Sequence, residues 1–264
     1  MDTITIKSTI DGDSYSLKQL QRIEYERQRH VLQEMIHLGA EVTDDEKVLS
    51  FDDINYLSYK DAARILLDTK LKLGLDGIKE LYKDSLAKSD AFWREIDSKY
   101  EEGEPYIEAT AYMEVTGLTL QSLQDTISKS VDGDVAGLTS NPEHFFDEKM
   151  PGLKPNEKCG TETMGMFGSP VETVVIFDST ITSPAKEEDG YRNFVSGTSR
   201  LLDGTPRHDV AVHQVKTKED GFDLKMTVYY PQATPKEMVD GHKIHLLVEF
   251  LGGIIAAAGD KKVI

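Results

Sequence analysis

The hydrophobic period of this chain changes at Glu101-Glu102-Gly103-Glu104-Pro105, and that change decides most of what the chain can fold into. Before it, apolar residues recur at helical spacing within charged stretches. They are Leu17, Leu20, Ile23, Leu32 and Ile36, then Ala62, Ile65, Leu66 and Leu73, then Ile78, Leu81, Leu86, Phe92 and Ile96. Gly74 and Gly77 separate the last two helices. No strand is expected in the first hundred residues. After the boundary, Ile107, Ala109, Ala111, Met113 and Val115 alternate with Glu108, Thr110, Tyr112 and Glu114, the period of a half-buried strand.

A short helix is expected over 119–131, stopped by Asp132-Gly133, and then a loop-rich section holding Pro142, Pro151 and Pro155. Strands follow over 158–167, 171–181, 191–201, 209–216 and 222–230, the last alternating Phe222, Leu224, Met226, Val228 and Tyr230 against Asp223, Lys225, Thr227 and Tyr229. Glu219-Asp220-Gly221 reads as a hairpin turn. A long helix over 235–258 closes the chain, with Thr234 as cap, Pro235 in the first turn and Gly259 at the end. The order predicts an α+β helix-grip fold over 105–264: a curved antiparallel sheet around a long C-terminal helix, with a cavity between them. Residues 1–104 are read as a helical N-terminal region. Its open roles are a lid, a dimerisation surface forming a homodimer, or a separate module.

Lys plus Arg total 30 against 47 Asp plus Glu, a net charge of −17. That balance excludes a nucleic-acid partner, whose phosphates need a basic face, and an anionic membrane surface. The apolar run 246–258 contains Glu249 and is too short to span a bilayer. Cys159, the sole cysteine, excludes an internal disulfide and reads as a buried, inert thiol. Without a signal-like N-terminus, the chain is expected to be cytoplasmic.

The terminal helix carries the chemistry. His242, His245 and Glu249 are three, four and seven residues apart and share one face. Gly252, Gly253 and Ala256 beside them leave room for a ligand. An imidazole and a carboxylate four residues apart can hold one divalent ion, and the same spacing also suits an ordinary surface pair. His242 is expected near an exposed helix start. His208 and His213 fall on opposite faces of one strand, and His30 and His37 read as solvated or packed. The run from Gly165 to Gly168 follows a strand without a helix after it, and no phosphate loop or Gly-x-Ser-x-Gly elbow is present.

Four segments in order resemble the 2,4-diacetylphloroglucinol hydrolase and phloretin hydrolase family. They are Tyr112-Met113-Glu114-Val115-Thr116-Gly117-Leu118-Thr119, Asn141-Pro142-Glu143-His144, Asn156-Glu157 before Gly160-Thr161, and His245-x-x-x-Glu249-Phe250. The resemblance spans about residues 106–259. It implies a helix-grip (Bet v 1-like) fold and a zinc ion held by Glu157, His245 and Glu249. The family's helix histidine is missing here, as are its tryptophans, Trp93 being the only one in the chain. His144 is the residue that would complete the site. The implied reaction is zinc-dependent hydrolysis of the carbon–carbon bond between an acyl group and a phenolic ring. The substrate would be a small aromatic or polyketide-like molecule, with Tyr112, Tyr229 and Tyr191 as candidate partners. The missing helix ligand keeps a second function open: a metal-free helix-grip carrier of a small apolar or aromatic ligand.

Overall fold

The alternation read from Ile107 onward forms the spine of a ten-stranded sheet that grips the terminal helix. The computed structural model describes residues 3–130, 134–148, 150–164, 170–185 and 188–264. The expected helix stop at 131–133 and the run at 165–168 lie outside the described residues. The chain begins with β1 (Thr3–Ile10), β2 (Asp13–Tyr15) and α1 (Leu17–His37). Next come a small hairpin, β3 (Thr43–Asp44) and β4 (Lys47–Val48), a 3-10 turn (Asp53–Tyr56) and α2 (Tyr59–Asp97). Then follow β5 (Ile107–Thr116), α3 (Leu120–Ser130), α4 (Asp134–Ser140), β6 (His144–Glu148), β7 (Glu157–Glu162) and β8 (Val171–Phe177). The last elements are β9 (Arg192–Leu201), β10 (Pro206–Thr217), β11 (Gly221–Tyr230), α5 (Lys236–Ala258) and β12 (Lys262–Val263).

Strand order is β12-β1-β5-β11-β10-β9-β8-β7-β6, antiparallel throughout except for the parallel pair β1–β12, with β2 also on β1. The run from β7 to β11 is the expected meander, and β6, inside the section read as loop, extends it by one strand. Alternation places Ala109, Ala111, Met113 and Val115 of β5 with Phe222, Leu224, Met226 and Tyr230 of β11 on the inner face. There they bury Leu246, Leu247, Leu251 and Ile254 of α5. α5 is long and apolar enough to cross a membrane by length and composition alone, yet its Leu246, Leu247, Leu251 and Ile254 are buried in the core of this fold.

Three expectations need correction. Residues 3–10 are a strand: Ile4, Ile6 and Ile10 face inward with Ser8, and β1 pairs with β5 across the boundary at Glu104. The first hundred residues are therefore not all helical. A short helix, α4, lies within the section read as loop. Thr234 does not cap α5; Pro235 takes the cap position, and its carbonyl accepts from the amides of Met238 and Val239.

The N-terminal helices form a second core. Ser16 and Gln19 make a capping box at the start of α1. α2 bends at Gly74, whose φ of 61° lies where glycine is favoured. Val31, Leu32 and Met35 of α1 pack with Ile65, Leu66, Ile78 and Tyr82 of α2 and with Phe145 of β6. That layer backs the end of the sheet that carries His144.

Candidate metal centre

β6 and β7 pair so that His144 stands opposite Glu162. Cross-strand partners point to the same face, and the His144 Nε2 lies 3.1 Å from the Glu162 Oε2. α5 brings His245 to the same point, its Nε2 3.2 Å from that of His144 and 3.8 Å from Glu162 Oε2. One turn further along α5 lies Glu249. Donor atoms of His144, His245 and Glu249 all fall within 4.8 Å of one another. Of the four residues expected as ligands, the fold brings His144, His245 and Glu249 together.

Glu157 is not among them. It sits at the opposite end of β7, five residues from Glu162 and so on the other face. The Lys154 amide and the Arg200 guanidinium, 3.2 Å away, hold its carboxylate below the usual range. The acidic residue that the fold presents to the histidines is Glu162. Parity within β7 separates the two, but only once β6 is known to be the strand facing it.

The other nitrogens of both rings are engaged outside the cluster. His144 Nδ1 lies 3.0 Å from the Gly137 carbonyl, which can only accept, so that nitrogen carries a proton. His245 Nδ1 lies 3.2 Å from Glu143 Oε2. Glu143 is buried and ion-paired to Arg27 at 3.0 Å. Burial raises the Glu143 carboxyl to about 7 against the pull of Arg27. Burial alone would lower His144, but the hydrogen bond and charge of Glu162, the charge of Glu249 and the Gly137 carbonyl push it up to about 9. Burial would raise Glu162, and His144 outweighs it, drawing the carboxyl down to about 2. Desolvation holds His245 well below its ordinary value.

A tetrahedral ion with bonds of about 2.0–2.1 Å needs its donors roughly 3.3 Å apart. The His144–His245 and His144–Glu162 separations of 3.2 and 3.1 Å meet that spacing. Two imidazoles and two carboxylates are also a charge-neutralising donor set for a divalent ion. The donor types suit zinc, with His144, His245 and Glu162 lying 3.1–3.8 Å apart and Glu249 within 4.8 Å of the two histidines.

His242 is buried, contrary to the expected exposed helix start. It stacks on His245 with centroids 5.0 Å apart, and desolvation lowers it to about 3. Tyr230 meets His242 edge-on at 5.7 Å. Tyr112 and Tyr229 lie on the other sheet face: Tyr112 donates to Glu188 at 3.2 Å, and Tyr229 shares a 2.6 Å hydrogen bond with Ser183. Tyr191 lies near Tyr112 and Glu188. None of these three is brought to the histidines; Tyr230 is, and its parity with Phe222 and Leu224 could have found it. His213 packs on Phe250 at 5.1 Å, whereas His208 stacks on Tyr100 at 4.1 Å.

Of the small residues of α5, Gly252 does not leave an open space. A Cβ on Gly252 would lie 2.6 Å from the Ser140 carbonyl oxygen, so the glycine lets the α4–β6 connection approach the helix. Asn141 then donates from Nδ2 to the His245 carbonyl at 3.3 Å and accepts from the Glu143 amide at 3.0 Å. Gly252→Ala is expected to cost about 1–3 kcal/mol through overpacking against backbone, measured by urea unfolding.

No protein-family profile and no curated protein matches this chain. Among solved structures, the crystal structure of Ara h 8.0201 is similar over 58% of this chain and 95% of that chain, with 15% identity and a TM-score of 0.35.

Proposed function

We propose that this protein is a metal-dependent hydrolase that cleaves an acyl group from a phenolic ring carbon. The observation that carries the reading is the meeting of two imidazole Nε2 atoms at 3.2 Å, with each Nδ1 directed elsewhere. A bound divalent ion would polarise a ketone oxygen and lower the pKa of a bound water. His144, Glu162, His245 and Glu249 would hold that ion. Hydrolysis adds the water oxygen to the acyl carbon, breaks the acyl–aryl bond, and returns a proton to the ring carbon. Tyr230, kept a neutral phenol by burial, has a buried hydroxyl without a hydrogen-bond partner and a ring that meets that of His242, and it is our candidate for holding or moving that proton. The acyl-phenol substrate class itself comes from the resemblance in four sequence segments.

A second reading is a metal-free carrier of a small apolar or aromatic ligand. It is favoured by the helix-grip arrangement, which can clasp a ligand without chemistry. It is also favoured by the His144–Glu162 ion pair, which closes the cluster without an ion. Elemental analysis of protein purified without added metal separates the two. About one zinc per chain, absent from His245→Ala, supports the hydrolase; no metal in either, even after zinc is added, leaves the carrier. Cleavage of acylphloroglucinols by the zinc-loaded protein then tests the reaction.

Zinc affinity should depend on pH through His144. Its proton must leave for the imidazole to bind an ion. With that group at about 9 in the metal-free protein, affinity should rise about tenfold per pH unit from 7 and level off above 9. Calorimetry at pH 7 in buffers of different ionisation enthalpy should show about one proton released per ion bound.

A further inference from the structure

We infer that the N-terminal helices are a working part of the metal centre, with Arg27 and Lys70 as positioning residues for its two histidines. This rests on the metal-binding reading above. Both cations are almost completely buried, each 2% exposed, in helices that lie outside the stretch carrying the family resemblance. A charge is costly to bury and is often replaceable by an apolar side chain of similar volume without loss of stability. These two charges converge on one short segment, residues 142–144, that carries a ligand and the ligand's support.

Arg27 of α1 acts on His245 through Glu143. Its Nη1 lies 3.0 Å from Glu143 Oε2, and the same oxygen lies 3.2 Å from His245 Nδ1. Arg27 favours the ionised form of Glu143, and in that form the carboxylate only accepts, so it fixes the N–H on Nδ1 and leaves the Nε2 lone pair facing His144. Lys70 of α2 acts on His144 through the main chain. Its Nζ donates to the Pro142 carbonyl at 2.7 Å and to the His144 carbonyl, clamping the segment that sets the ring's position. Asn141 completes the frame by binding the His245 carbonyl on α5. Three separate elements, α1, α2 and α5, are thus tied to one strand entry, and a small shift of either N-terminal helix would separate the two Nε2 atoms.

The test is zinc affinity, by competition with a chromophoric chelator, in the full-length wild type, Arg27→Met, Lys70→Met and Arg27→Lys. Both methionine variants are expected to bind about 10- to 100-fold more weakly, the range for losing a residue that orients a metal ligand. Arg27→Lys should recover most of the loss. Folded methionine variants with wild-type affinity would overturn the inference. Should the methionine variants fail to fold, Glu143→Gln, which keeps the shape and removes the charge, takes their place: a tenfold or greater loss supports it and an unchanged affinity overturns it. If the wild type binds no zinc, the metal reading fails and nitrogen-15 imidazole spectra of the metal-free protein decide the positioning role. A single Nδ1–H form of His245 in the wild type that becomes mixed in Glu143→Gln supports it; identical spectra overturn it.

Discussion

Glu162→Ala should weaken zinc binding by about a hundredfold to a thousandfold, while Glu157→Ala should leave it unchanged. Structural zinc sites contribute roughly 10–16 kcal/mol, so one of four ligands accounts for about 3–4 kcal/mol. Glu162 Oε2 is 3.1 Å from one histidine donor and 3.8 Å from the other. Glu157 lies five residues away along β7, roughly 16 Å at strand rise, and faces Arg200. Titration with a chromophoric chelator distinguishes the two variants directly. An effect from Glu157→Ala equal to that of Glu162→Ala would mean that β7 is displaced by five residues relative to β6. Glu162→Ala has a second expected consequence. His144 loses the partner that chiefly raises it, so its imidazole should titrate nearer its ordinary value in the metal-free variant.

The elements that sequence read well are those in which one physical signal dominates. Ile107 to Val115 and Phe222 to Tyr230 alternate over whole strands, and burial on one face follows from that period. α5 is apolar nearly all round, which belongs to a helix gripped on several sides. β1 is harder to read because its inner row is Ile4, Ile6, Ser8, Ile10, with a polar residue in the third place, and its outer row is Thr3, Thr5, Lys7, Thr9. The site was half legible. His245 and Glu249 share a helix face, which spacing reveals. The pairing of His144 with Glu162 depends on the register of two strands, one of which was read as loop. No local pattern encodes that register. Burial of His242 likewise comes from the end of β11, where Tyr230 covers the start of α5. Arg27 and Lys70 did leave a trace. Arg27 lies four residues before Val31, and Lys70 four after Leu66, so both occupy buried stripes where a charge is out of place.

Phe145→Ala should cost about 3–5 kcal/mol of stability, the range for removing a fully buried aromatic ring. Phe145 has no exposed surface and points from β6 away from His144, into the core between α1 and α2. Its ring lies 4.7 Å from that of Tyr82, and the Lys70 ammonium sits 5.5 Å above it. Truncation leaves a cavity that Ile65, Leu66 and Ile78 can fill only by shifting helices. Those helices also carry Arg27 and Lys70, so the same change should loosen the metal centre from behind. Two measurements separate the effects. Urea unfolding of the metal-free protein gives the packing loss alone. Thermal unfolding with and without excess zinc gives the affinity, because an ion bound only by the folded state stabilises it in proportion to ln(1 + [L]/Kd). A mutant that loses stability yet gains as much from zinc as the wild type would show that β6 holds His144 in place without its neighbour. A smaller gain is the expected result, since Phe145 is the extra residue between His144 and Phe146 where the ladder shifts register, and as the chain neighbour of His144 it cannot move without it.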